Sequence, residues 1–292
     1  MYSDRYEHKQ LLLFALLLLV GLACGGCAEV TLAPNLALLA QAPPYSYTDH
    51  DWARVLGDYV KDGLVDYDAL SRSREPLERY YALLSVTGPA RTGEQFNSRA
   101  QVTAYWINAY NALVLLAVMD RYPVPTMYDV SMPRLTRGYK FVVDGQAVTL
   151  ADIEAELLKQ SNGDVRTLLA TSRAAMGSPP LGNEPMRART LERQLAAAAA
   201  RALDEPNVLR IDHGSGSILV WQLIIRRQQD FVEYWRTRRR VRTTYLFNVL
   251  LELASPQKRQ ALQSAVGYMF RPAPFDRTLN RWSPREQSPV VP

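Results

Sequence analysis

Nucleophilic chemistry needs a thiol, hydroxyl or amine beside an activating base, and this sequence supplies few such pairs. Its 2 cysteines, Cys24 and Cys27, both close an N-terminal apolar run, so the rest of the 292 residues carry neither a disulfide nor a thiol nucleophile. Of the 3 histidines, His50 and His213 lie beyond that run. His213 stands in Asp212-His213-Gly214-Ser215-Gly216, a turn composition in which a histidine is ordinarily a loop residue. Ser178, just before Pro179-Pro180, is the hydroxyl that His213 could activate in an alternative, catalytic reading. Asp152, Glu154 and Asp276 are carboxylates able to move protons, but a helix cap or an ion pair is the plainer use of each. No zinc-ligand spacing, glycine-rich phosphate loop or RNA-binding aromatic signature occurs, so neither metal nor cofactor is expected. The formal charge of +5 suits weak attraction to anionic surfaces and does not argue for nucleic acid as a partner.

Binding chemistry is better represented. Val102 to Met119 is free of charge, Pro and Gly, and its large side chains fall on every face, the mark of a helix buried all round. Asn108 and Asn111 interrupt it three residues apart, on one face. A buried amide without partners costs about 1–3 kcal/mol, so this pair either ties neighbouring loops to the helix or lines a polar pocket. Arg166 adds a permanent cation with planar donors, able to grip a carboxylate or hold its own loop. Asn108, Asn111, Arg166, Ser178, Asp276 and Asn280 form the candidate pocket. By length alone the helix could span a bilayer, but the two amides are awkward in lipid, and Asp120-Arg121-Tyr122-Pro123 is an ordinary helix stop.

The elements that position these residues read as one predominantly helical α+β domain, with a small antiparallel hairpin or sheet around the buried helix. Leu11 to Ala23 is an apolar run too short to span comfortably and ends in small residues, as in a secretory signal. The organisation expected is a signal peptide over 1–23 (or 1–26), a tether over 24–48, the domain over 49–282 and a disordered tail over 283–292. Asp49 or Asp51 can cap a helix carrying Trp52, Val55, Leu56 and Tyr59. Lys61-Asp62-Gly63 ends it, Leu64 to Tyr67 is extended, and another helix runs from Pro76 to Leu84. Phe141 to Val148 is a hairpin around Asp144-Gly145. Thr149, with Asp152 three residues on, opens a helix to Leu158, which Asn162-Gly163 breaks. Further helices are expected over Thr190 to Leu203, over Ser217 to Trp235 and from Pro256, with a strand over Asn207 to Asp212. Arg236 to Arg242 is a basic cluster, read as a solvated helix end or a membrane-headgroup contact.

Val20-Gly21-Leu22-Ala23-Cys24 resembles a bacterial lipobox, with Gly21 where such boxes usually carry Leu. The resemblance implies lipidation at Cys24, with Cys27 as the alternative. It also implies export and membrane anchoring on the periplasmic or outer face of a bacterial envelope.

The body of the chain resembles the "domain of unknown function 547" family. Tyr59 to Tyr67 is similar to that family's opening, and Tyr105-Trp106-Ile107-Asn108-Ala109-Tyr110-Asn111-Ala112-Leu113 to its most specific motif. The hairpin leading into Leu150 to Glu154, the block from Asp164-Val165-Arg166 to Pro179-Pro180-Leu181, Gln229 to Phe231, and Phe275 to Asn280 resemble later blocks in the family's order. The departures bear on chemistry. Relatives commonly carry His where Ala155 and Leu168 stand here, and Cys near Arg173 and Ser178. The resemblance therefore implies a member without the family's usual thiols and imidazoles. It leaves two readings: an envelope lipoprotein that binds a peptide, glycan or protein, or a Ser-dependent hydrolase or transferase of the envelope.

Overall fold

The computed structural model describes residues 30–39, 42–124, 126 and 134–283. The apolar run with Cys24 and Cys27, and residues 284–292, lie outside them. The expected helical α+β fold is what the chain adopts, with helices gathered around one buried helix and three small sheets at its flanks.

The segment read as a tether already takes part in the domain. Val30–Leu32 (β1) pairs in parallel with Tyr139–Val143, and Tyr47 packs its ring against Tyr105 and Phe96. Helix α1 (His50–Tyr59) buries Trp52, Val55 and Leu56. Asp49 occupies its cap position without a side-chain cap bond; its carboxylate instead accepts from Arg187 Nε at 2.8 Å. The expected single extended piece is a tight hairpin, β2 (Val60–Lys61) and β3 (Leu64–Val65). Asp62 and Gly63 turn it with φ of 51° and 83°. Asp66 then caps α2 (Tyr67–Arg72) through Ala69 N–H, and α3 (Glu75–Val86) starts with Pro76 in its first turn.

The central helix, α4, spans Arg99–Met119 and is opened by Ser98, whose Oγ accepts from Gln101 N–H. From Thr103 onward every residue but Leu116 is buried. The helix is long and apolar enough to cross a membrane, yet 89% of its apolar window is covered by protein. Leu113, Leu115 and Val118 alone each contribute on the order of 1.5–3 kcal/mol of apolar burial. Beyond it, β4 (Tyr139–Val143) and β5 (Gln146–Val148) form the expected hairpin, with φ of 52° at Asp144 and 74° at Gly145. Two positive angles in succession are a type I′ turn, whose twist matches that of the flanking strands. Thr149 and Asp152 form a reciprocal capping box at the start of α5 (Leu150–Gln160), which lies along α4.

A short helix, α6 (Arg166–Leu169), is followed by an irregular run to α7 (Leu191–Asp204). Past α7 the chain departs from expectation. Ser217 to Trp235 is not one helix: Ser217–Val220 is a strand, β7, between Leu209–Asp212 (β6) and Met269–Pro272 (β8). The β-branched Ile218 and Val220 suit a strand, the Gly214 to Gly216 turn folds β7 back on β6, and helix begins only after Trp221. It comes as α8 (Gln222–Arg226) and α9 (Gln228–Arg239). Within this stretch Phe231 is buried, while Leu219, Leu223 and Val232 are half-buried. Helices α10 (Leu246–Leu253) and α11 (Pro256–Gln263) close a second apolar cluster around Trp221, Ile224 and Trp235.

Candidate functional site: a groove beside Trp106

The residues expected to form a pocket are engaged by the chain's own main-chain and side-chain groups. Asn108 Nδ2 donates to Met186 O at 2.9 Å and its Oδ1 accepts from Met186 N–H at 2.8 Å. Asn111 does the same one turn on, donating to Ala170 O (3.1 Å) and accepting from Ser172 N–H (2.9 Å). Both amides are buried, and together they stitch the irregular run between α6 and α7 onto the central helix. Arg166 forks twice. It holds Asp164 through Nε (2.9 Å) and Nη2 (2.6 Å), and Glu192 through Nη1 (2.9 Å) and Nη2 (2.8 Å). The guanidinium hydrogen bonds draw the Glu192 carboxyl down to about 2. This arginine therefore joins the start of α6 to the first turn of α7.

Ser178 is buried, donates from Oγ to Ala175 O (2.7 Å) and accepts from Arg173 N–H (3.1 Å). His213 is exposed on the β6–β7 turn, with Nδ1 at 3.1 Å from Tyr268 Oη. The pairing of Ser178 with His213 that the catalytic alternative needs is thus not among the bonds either one makes. Asp276 approaches through its backbone, whose O accepts from Gly177 N–H at 2.8 Å. A Cβ on Gly177 would come within 2.6 Å of Asp276 N, so only glycine lets the two strands of chain close. Asn280 Oδ1 accepts from Tyr67 Oη at 2.7 Å, and its Nδ2 donates to Gly63 O at 3.3 Å. Ser178, Pro179, Pro180 and Asn280 line a recess of about 40 Å³, space for a water or two. The structure thus brings Ser178, Asp276 and Asn280 to one seam, and leaves Asn108, Asn111 and Arg166 in separate structural roles.

Glu154, considered as a cap or ion-pair partner, is the centre of a buried cluster. Its Oε1 accepts from Tyr110 Oη at 2.9 Å and pairs with Arg173, whose guanidinium lies 5.3 Å from the Trp221 ring centre. Burial, reinforced by the Glu154 charge, holds the Tyr110 hydroxyl above its ordinary range. Ala155 is exposed on α5 and Leu168 packs into the second apolar cluster. Among the described residues no group of three or more His, Cys, Asp or Glu is placed to hold a metal ion.

Space for a ligand lies elsewhere, where sequence reasoning did not look. A groove of about 470 Å³ opens between the β4–β5 hairpin and α5, with Trp106 and Ile153 at its base. That is within the ~300–1,000 Å³ range of small-ligand sites. Asp144, Gln146, Asp152, Glu156, Lys159 and Gln160 supply its polar wall. Three carboxylates against one ammonium give it a net −2. Asp144 is fixed, its two oxygens accepting from Ala90 N–H (2.7 Å) and Arg91 N–H (2.8 Å). Asp152 is fixed by the capping box, whose Thr149 backbone and hydroxyl donors hold its carboxyl below the usual range. A general acid working near neutrality needs the opposite shift. Glu156 bonds only to Lys159 and Gln160 on its own helix, contacts among half-exposed groups that a ligand can exchange. The available signal was helical spacing: Asp152, Glu156 and Lys159 fall on one face of α5, which shares the groove with Trp106 of the core helix.

The fold and site define a helical α+β domain with a closed core helix and an acidic, aromatic-floored groove. Residues 94–202 match the model of a family described as "Protein of unknown function, DUF547", so the family resemblance is shown over that stretch. The matched stretch holds Trp106, both core amides, the hairpin, α5, Arg166 and Ser178. No curated protein and no solved structure matches the chain.

Proposed function

We propose that this is an exported envelope lipoprotein whose domain binds a ligand in the groove beside Trp106 without turning it over. The observation that supports the reading is how polar groups are spent. Asn108, Asn111, Arg166 and Ser178 are engaged by the chain itself, whereas Gln146, Glu156 and Lys159 face an open groove over an indole. An aromatic floor with a polar wall of net −2 suits a peptide or glycan segment that carries an amino group. Cys24, or Cys27, would carry the lipid. Each buried CH₂ contributes about 0.8 kcal/mol, enough with two or more chains to hold the domain on a membrane without a spanning helix.

The test is a calorimetric titration of the full chain with amino-sugar oligomers and with short cationic peptides. Saturable binding that weakens about tenfold in Glu156→Gln, with unchanged circular dichroism, supports the reading. Affinity indifferent to Glu156→Gln and Lys159→Ala would remove the groove as the site. For the anchor, intact-mass analysis of the membrane fraction should find a lipidated cysteine as the new N-terminus. A chain starting past Cys27 without lipid mass would sink that part.

A further inference from the structure

The chain's charge is unevenly distributed. Residues 226–245 hold seven arginines against Asp230 and Glu233, a net +5, and the whole chain is also +5, so the remainder sums to zero. Most of this charge sits where α9 ends. Arg240 turns the chain out of the helix with φ of 53°, and residues 236–243 are all exposed. The negative end of the helix dipole accounts for Arg236, Arg238 and Arg239 in the last turn. These three also have carboxylate partners, Glu233, Glu192 and Glu252 in turn. The dipole does not account for the loop residues beyond that turn. Arg240 and Arg242 make no ion pair among the described residues, and Val241 and Tyr245 project at 41% and 69% exposure. Unpaired cations alternating with protruding apolar tips are what an anionic bilayer surface accommodates. Guanidinium groups fork onto lipid phosphates, and a tyrosine ring rests at headgroup depth. A purely polyanionic partner would leave Val241 and Tyr245 without a role.

We propose that the α9–α10 loop, Arg240 to Tyr245, docks the domain onto an anionic phospholipid surface. This deepens the envelope reading by naming the face turned to the bilayer, and it stands whether or not a lipid is attached. A single acyl chain holds a protein only marginally and ordinarily needs a second, polybasic signal, which this loop would supply.

The experiment uses the full chain with Cys24→Ser and Cys27→Ser, so that lipidation does not contribute. Co-sedimentation is measured with phosphatidylcholine vesicles and with an equal mixture of phosphatidylcholine and phosphatidylglycerol. The expected result is selective binding to the anionic vesicles, falling about fivefold per arginine in Arg240→Gln and Arg242→Gln. Val241→Ser/Tyr245→Ser should weaken binding to the same vesicles with both arginines in place. Any binding by the apolar N-terminal run appears equally in every variant and on both vesicles. Binding unchanged in the double arginine variant overturns the proposal. So does displacement from anionic vesicles by dextran sulfate with an affinity for that polymer indifferent to Val241 and Tyr245, which would make the loop a polyanion site. Loss of groove binding with vesicle binding intact would refute the groove alone.

Discussion

Replacing Asn111 with Leu tests the inner architecture most sharply. The side chain is 6% exposed and bridges Ala170 O and Ser172 N–H, two main-chain groups in an irregular run with no strand partner. Leucine keeps the branched outline of asparagine but is bulkier, so the change removes both hydrogen bonds and opens no cavity. Each orphaned group costs about 1–3 kcal/mol, and the added apolar burial returns about 1 kcal/mol. The net is about 1–5 kcal/mol, which for a domain of this size lowers Tm by about 2–20 °C. Thermal unfolding by circular dichroism reads it directly. The control is Asn97→Leu, on an exposed amide that donates only to Glu94 O, where the shift should stay within about 2 °C. An unchanged Tm in Asn111→Leu would show that water already serves Ala170 and Ser172, and the stitching role would be wrong.

Three further outcomes rest on the same geometry. Ser178→Ala should cost about 1–3 kcal/mol by chemical denaturation, from its lost turn bonds, and leave ligand affinity in the groove unchanged; loss of a hydrolytic activity in this variant, with the fold intact, would reinstate the enzyme reading. Arg173→Met should destabilise by about 3–5 kcal/mol because it strands the buried Glu154 charge, whereas Arg173→Met/Glu154→Gln should recover part of that loss, and additive effects would deny the pairing. The Glu192 carboxyl, held near 2 in the fold by Arg166 against an ordinary 4.5, contributes stability that is complete above pH 4.5. That contribution fades as pH falls toward 2, because the unfolded chain takes up the proton first. Urea unfolding over this window should show a shallower pH dependence in Glu192→Gln than in the unaltered chain, and identical slopes would contradict the assignment.

The parts of the fold legible in the sequence were those fixed locally. A charge-free run without Pro or Gly announces α4, Asp144-Gly145 a two-residue turn, and Thr149 with Asp152 a helix start. The parts that stayed hidden depend on distant partners. Val30–Leu32 is a strand only because Tyr139–Val143 lies beside it, and Ser217–Val220 because β6 and β8 flank it. Arg166 was recognisable as a strong donor, but its second acceptor, Glu192, lies on another helix. The core amides announced their need for partners without saying that loop backbone meets it. Trp106 drew no notice because it sits in a run of buried residues, and only the fold brings the hairpin and α5 beside it to form a groove. Ser178 looked nucleophilic in sequence because the two main-chain groups that occupy it are set by turn geometry.

The central claim is that ligand binds beside Trp106 and leaves unchanged. It is tested most directly by nuclear magnetic resonance titration of the ¹⁵N-labelled chain with the amino-bearing glycan or peptide that binds best, followed by mass analysis of the recovered ligand. The account predicts shifts concentrated at the Trp106 indole N–H and at Gln146, Glu156 and Lys159, with the ligand recovered intact. Shifts centred on Ser178, Asp276 and Asn280, or a cleaved ligand, would contradict it.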